Sequence, residues 1–136
     1  MTDIRILVVD DHAVIRNGLS KVLMVNKDLV PVGEATDGSE AIEMVATHKP
    51  DVVLMDLMMP GMDGIAATRE IHEKYPPVKV IALTSFSEKN MVQKALQAGA
   101  IGYLVKNITA SELGSAIRSA FAGKMTLSPE AMQAMA

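Results

Sequence analysis

The chain has 136 residues, one domain's worth, and 49% of them are apolar, enough to build a core. Its 13 Lys and Arg stand against 16 Asp and Glu, a net charge of −3, which argues against a nucleic-acid-binding face that dominates the chain. Cysteine is absent, excluding disulfides, zinc thiolates, iron–sulfur clusters and thiol catalysis.

Ile4–Val9 (IRILVV) is the first of five strand-length runs rich in Val, Ile and Leu. It is too short, and too closely flanked by Asp3, Asp10 and Asp11, for a signal peptide. No apolar run approaches the ~18 residues of a membrane span, so a cytoplasmic protein without a membrane partner is expected. A helical segment follows, with Val14/Ile15, Leu19 and Val22/Leu23 on one face. The second run, Leu29–Glu34, contains Pro31, which removes a ladder donor, and ends in a charge, so it belongs at a sheet edge. Helical spacing then recurs at Ala41/Ile42, Val45 and Ala46, before the third run, Asp51–Met55. Ile65, Thr68 and Ile71 mark the third helix, Val78–Leu83 the fourth run, and Met91/Val92, Ala95/Leu96 and Ala98 the fourth helix. Ile101–Val105 is the fifth run. Thr109-Ala-Ser-Glu112 reads as a capping box opening a last helix with Leu113, Ala116/Ile117 and Ala120/Phe121 inward. The tail Gly123–Ala136 reads as the beginning of a linker or a frayed end.

Fivefold strand–helix alternation means an α/β, doubly wound, five-stranded parallel sheet with five helices on its two faces. Near-continuous apolar runs are what a sheet covered on both sides requires. In such sheets ligands bind at the carboxyl ends of the strands. There the first run delivers Asp10-Asp11, the third Asp56, the fourth Thr84-Ser85 and the fifth Lys106. Taken singly, Asp10, Asp11, Thr84 or Ser85 could be a helix cap. Lys106 cannot cap a helix N-terminus, so caps do not explain the set.

Three converging carboxylates repel one another, and Lys106 with a hard divalent cation would compensate them. Carboxylates and a backbone carbonyl suit Mg²⁺. His12, His48 and His72 read as helix-surface residues, which disfavours zinc. A carboxylate, a lysine and Mg²⁺ together suit phosphoryl transfer through an aspartyl phosphate. Asp56 is the natural nucleophile, alone at its strand end. The loop Met59-Pro60-Gly61-Met62-Asp63-Gly64 follows it, with Pro60-Gly61 fitting i+1/i+2 of a type II turn and Gly64 opening the next helix.

Asp10-Asp11, Asp56 with MPGMDG after it, Thr84-Ser85 and Lys106 together resemble the receiver domain of two-component response regulators. The resemblance runs from Ile4 to about Gly123, and implies a flavodoxin-like fold with sheet order 2-1-3-4-5, the order for which a receiver domain is a standard example. It implies Asp56 as phosphoacceptor from a sensor histidine kinase, Asp11 as a direct Mg²⁺ ligand, and Asp10 acting mainly through water. The backbone carbonyl of Met58 would be a further ligand, Thr84 the hydroxyl that turns toward the phosphoryl group, Lys106 its ion-pair partner and Tyr103 the aromatic that follows Thr84. An ordinary edge-strand aromatic is the alternative for Tyr103. LTSFSEKN and AFAGKMTLSPE resemble the NarL/FixJ subfamily, with a LuxR-type helix-turn-helix domain. That implies a receiver over residues 1–123, a linker or tail over 124–136, phosphorylation-promoted homodimers and transcription control through a DNA-binding domain absent here. A stand-alone receiver is the alternative.

The chain departs from the family at Asn107, where many receivers carry a proline after a cis bond. A cis bond before Asn costs about 3–4 kcal/mol, so trans is expected. Met58 and Phe86, at positions that tune phosphate lifetime in the family, are apolar and cannot orient a water by hydrogen bonding. Among rival readings, a Mg²⁺-dependent phosphohydrolase needs a second Asp two residues after the nucleophile, where Met58 stands. A nucleotide or flavin binder lacks GxGxxG and GxxxxGK[ST]. A phosphoacceptor switch, not an enzyme with an external substrate, is the reading that remains.

Overall fold

Each apolar run becomes a parallel strand, and each intervening segment a helix that carries the chain back to the same end of the sheet. The computed structural model describes residues 3–59, 61–85 and 89–135. In chain order these form β1 (Ile4–Val9), α1 (Ala13–Met24), β2 (Leu29–Ala35), α2 (Gly38–His48), β3 (Val52–Met55) and α3 (Gly64–Lys74). There follow β4 (Lys79–Thr84), α4 (Lys89–Gln97), β5 (Gly102–Val105), α5 (Ala110–Phe121), β6 (Thr126–Leu127) and α6 (Pro129–Met135).

The sheet is parallel throughout, in the order β2-β1-β3-β4-β5-β6. The expectation of five strands and five helices is therefore corrected to six of each among the described residues. β6 has two residues and α6 seven, too short for either to show a period of its own. Tertiary contacts hold them instead. The Thr126 N–H donates to the Ile101 carbonyl at 3.0 Å and the Ser128 N–H to the Tyr103 carbonyl at 2.9 Å. Ser128 Oγ then accepts from the Ala131 N–H at 3.1 Å, and Ala131 is fully buried.

β2 is an edge strand, and its pairing with β1 steps from Ile6–Pro31 to Leu7–Gly33, skipping Val32. A bulge beside Pro31 is how a residue without an N–H enters an edge strand. Alternation along the strands feeds two cores, as a doubly covered sheet requires. Leu7, Val9, Val53, Met55, Ala82 and Tyr103 pack with residues of α2, α3, α4 and α6. Ile6, Val8, Leu54, Ile81 and Leu104 pack with Leu23 of α1 and Leu113, Ile117 and Ala120 of α5.

Three helix N-termini are capped as their residue types dictate. Asp37 accepts from the Glu40 N–H and Asp63 from the Ala66 N–H, and Thr109 and Glu112 form the expected capping box. Two facial expectations change: Val14 is 83% exposed and Ala46 faces solvent, since both lie beyond the stripe that meets the sheet. Ala116 and Ala120 are buried against it. No described peptide bond is cis, in agreement with the expectation at Asn107.

Candidate functional site

Register brings the strand ends to one edge, with β4 and β5 running two residues past β1 and β3. Val9 pairs with Met55, Met55 with Ala82, and Thr84 with Val105. The ladder continues one residue past β1, β3 and β5. Asp10 donates its N–H to Ala35, Asp56 to Val9 and Lys106 to Thr84, at 3.0, 3.0 and 2.9 Å. The polar residues thus stand on backbone fixed by the sheet, which is why a strand-end reading of the sequence could find them.

Asp10 and Asp56 are buried, at 1% and 3% exposure. The Lys106 ammonium lies 2.7 Å from Asp10 Oδ2 and 3.6 Å from Asp56 Oδ2, bridging two carboxylates from different strands. Asp56 Oδ1 accepts the Met58 N–H at 3.2 Å. The Asp56 carboxyl is pushed above its ordinary range, by burial first and then by Asp10 and Asp11, against the opposing pull of the Met58 N–H and Lys106. At Asp10, burial also pushes upward but is outweighed. The hydrogen bond and charge of Lys106, with the His12 contacts, hold that carboxyl below its ordinary value.

Asp10 caps no helix in the usual sense. Its Oδ1 accepts the His12 N–H at 2.9 Å, and α1 starts at His12 without a side-chain cap. Asp10, Asp11, His12 and Asp56 each bring one ligand-type atom within 4.8 Å of the others. Asp11 Oδ1 is buried and accepts no hydrogen bond, with His12 Nδ1 3.1 Å away. A hard cation would satisfy that atom, and carboxylate oxygens are the donors such a cation takes, usually one or two of them with water completing the shell. The residues present therefore fit Mg²⁺.

Thr84, 1% exposed, ends β4 at the same edge. Tyr103 is fully buried inside β5, and β6 lies beyond it, so it is not an edge-strand aromatic. Met58 follows β3 with its side chain 56% exposed. Gly61 has φ +75°, the value position i+2 of a type II turn requires, while Pro60 lies outside the described residues, as does Phe86.

Two residues escaped the sequence reading. His12, expected on a helix surface, has Nδ1 3.1 Å from both Asp10 Oδ1 and Asp11 Oδ1. Its adjacency to the acidic pair was the available signal. Arg16 donates Nη1 to the Asp10 carbonyl at 2.7 Å and Nε to Glu34 Oε1 at 3.0 Å. Only the β1–β2 pairing brings Glu34 there, and nothing local announces it.

Comparison with known proteins places this arrangement. The response regulator receiver domain family matches residues 6–118. Transcriptional regulatory protein LiaR of Bacillus subtilis (strain 168) is 44% identical over 124 residues, covering 91% of this chain and 59% of LiaR. Response regulator GacA of Pseudomonas viridiflava is 43% identical over 133 residues, covering 98% of this chain and 62% of GacA. The chain thus spans about three-fifths of these relatives. A crystal structure of a two-component response regulator of the LuxR family from Aurantimonas sp. SI85-9A1 superposes with a TM-score of 0.93 at 34% identity, covering 98% of this chain and 96% of that one. A match across most of the length, on a sheet whose strand ends gather acidic side chains around a lysine, shows that the chain belongs to the receiver domains of two-component response regulators.

Proposed function

We propose that this receiver accepts a phosphoryl group on Asp56 from the phosphohistidine of a sensor kinase and acts as a switch. The observation that carries this reading is the Asp56 carboxylate, buried at the end of β3 with Lys106 3.6 Å away and Asp10 and Asp11 beside it. In the transfer an Asp56 oxygen bonds to phosphorus, the phosphorus–nitrogen bond breaks, and its electron pair returns to the imidazole. Asp10, Asp11, Asp56 and the Met58 carbonyl would hold Mg²⁺, with Asp10 acting mainly through water. Bound there, Mg²⁺ supplies neutralisation of charge on the transferring group. Lys106 pairs with the phosphoryl oxygens, exchanging its bond to Asp10 for one to the new anion. The Thr84 hydroxyl turns toward the same oxygens, and Tyr103 repacks behind it.

In this reading residues 1–123 carry the phosphoacceptor machinery, and 124–136, instead of fraying or running free as a linker, pack β6 and α6 onto the same sheet before the chain leads toward an output domain. LiaR is named a transcriptional regulatory protein, and we extend that role here, with DNA contacted only by the output domain and with homodimers favoured by phosphorylation. The site of action is the cytoplasm. Among the described residues no helix is long and apolar enough to cross a membrane. The test is intact mass after incubation with acetyl phosphate and Mg²⁺. One phosphoryl group is expected on the wild type and none on Asp56→Asn; a variant that gains the same mass at the same rate overturns the assignment.

A further inference from the structure

We propose that Arg16 is a positioning residue for the acidic pair. Its guanidinium fixes the Asp10–Asp11 peptide and so presents Asp11 to a bound divalent cation. The inference rests on the reading of the acidic edge as a Mg²⁺ site. Asp11 Oδ1 is buried and accepts no hydrogen bond, although His12 Nδ1 stands 3.1 Å away, so its position depends on the backbone that carries both residues. That backbone has few ties. The Asp10 N–H is held by Ala35 at 3.0 Å and the His12 N–H by Asp10 Oδ1 at 2.9 Å. Between them, the peptide joining Asp10 to Asp11 is held through its carbonyl by Arg16 Nη1 at 2.7 Å. Because a peptide unit is planar, fixing its carbonyl also fixes the direction in which the Asp11 N–H and Cα leave it.

Arg16 is itself fixed from two sides. Its backbone N–H donates to the His12 carbonyl at 3.0 Å within the first turn of α1. Its Nε meets Glu34 Oε1 at 3.0 Å, one residue before the end of the neighbouring strand β2, and its side chain is 15% exposed. A guanidinium serves two acceptors at once with little loss of freedom, and an ammonium cannot span the same pair. Arg16 thus braces the loop that carries both acidic residues against α1 and β2.

A simpler role, a nearby counter-charge for the carboxylates, predicts the opposite sign. Removing a cation beside a dication site strengthens binding of the dication, whereas removing a brace weakens it. Mg²⁺ affinity is measured by calorimetry on wild type, Arg16→Gln and Arg16→Lys, with the amide ¹H–¹⁵N spectrum of each metal-free protein recorded alongside. The brace predicts a dissociation constant raised about tenfold in Arg16→Gln, the size typical of residues that orient metal ligands. Arg16→Lys keeps the charge and should also bind Mg²⁺ more weakly, with metal-free shift changes centred on Asp11 and His12. Phosphorylation by acetyl phosphate should reach the wild-type extent at saturating Mg²⁺ and fall behind below it. Unchanged or tighter binding in Arg16→Gln, or wild-type binding in Arg16→Lys, overturns the proposal. If Arg16→Gln fails to fold, Arg16→Lys decides alone. A wild type that binds no Mg²⁺ overturns the proposed function and this inference together, whereas a binding wild type with an unaffected Arg16→Lys overturns this inference only.

Discussion

At Gly64 the chain folds back so closely that a Cβ would strike the Asp56 carbonyl oxygen and stand 2.7 Å from Leu57 Cα. Both are backbone atoms directly under the candidate phosphoacceptor and cannot step aside as a flexible side chain would. Gly64→Ala should therefore cost about 1–3 kcal/mol in urea unfolding and slow phosphorylation of Asp56. Wild-type stability in that variant would show that the turn has slack. Met58 offers the complementary test. Its N–H holds Asp56 Oδ1, while its side chain stands 56% exposed on the solvent side. An apolar side chain there gives an attacking water nothing to hydrogen-bond, so Met58→Asn should hydrolyse the aspartyl phosphate faster than wild type, followed as the decay of the phosphorylated mass. An equal or slower decay defeats that argument. Asp10, Asp11, Asp56, Thr84 and Lys106 were all legible in the sequence, because each directly follows or ends an apolar run and strand ends gather at one edge of a parallel sheet. His12 and Arg16 were not. The His12 ring turns back onto its acidic neighbours, and Arg16 reaches a strand that follows it by 18 residues.

Among the elements, β6 and α6 show where sequence pattern runs out. Two strand residues and one short helix carry no periodicity, yet they add a strand to the sheet and complete the burial of Tyr103, whose carbonyl accepts from Ser128. Gly102 makes room for them, since a Cβ there would lie 2.6 Å from Thr126 Cγ2 and 2.7 Å from the Thr126 carbonyl oxygen. Gly102→Ala should lift β6 away from β5, so the Ser128 amide should exchange its hydrogen faster than the amides of β1 and β3 while phosphorylation of Asp56 persists. Unaltered exchange would show that β6 can shift without detaching. A second tie joins the turn after α1 to α5. Arg118 donates to both Asp28 oxygens, at 2.8 and 2.9 Å, and to Asn26 Oδ1 at 2.9 Å. The hydrogen bond from Arg118 holds the Asp28 carboxyl below its ordinary value of 3.8, against a small upward push from burial. A carboxyl depressed by folding stabilises the fold above its unfolded pKa, and that contribution fades as pH falls through the lower folded value. Arg118→Ala should therefore lose stability at neutral pH and converge on wild type once pH drops well below 3.8. A difference in urea midpoint that stays constant with pH would assign the effect to packing instead.

For the whole molecule, the sheet separates two cores while its carboxyl edge joins them, since Asp10, Asp56 and Lys106 come from three neighbouring regions of that edge. This is why the apolar pattern conveyed the α/β class, with the order 2-1-3-4-5 coming from the receiver resemblance and the sixth strand from neither, but not how the surface is used: burial pattern reports the core, and surface apolar residues leave no comparable trace. Several such residues gather at the opposite end. Met24 and Val25 end α1 at 69% and 75% exposure, and Phe121 ends α5 at 39%. The Arg118 bonds to Asn26 and Asp28 hold those two helix ends together. Ala116 and Ala120 of α5 are buried against the sheet and offer no contact surface. The exposed apolar residues at the ends of α1 and α5 are the pairing surface this reading predicts. Phosphorylation turns the singly charged Asp56 carboxylate into a doubly charged acyl phosphate, a net gain of about one negative charge at the far edge, and selects among pre-existing arrangements rather than building a new one. Sedimentation with acetyl phosphate and Mg²⁺ should show more dimer than without, and Met24→Glu with Val25→Glu should weaken pairing while Asp56 still gains its phosphoryl mass. Pairing that survives both changes would rule this surface out. Neither form of the 136-residue chain should bind duplex DNA, because its net charge of −3 offers no basic face to exchange for phosphate counterions; a salt-sensitive duplex shift by this chain alone would place DNA contact within the receiver itself.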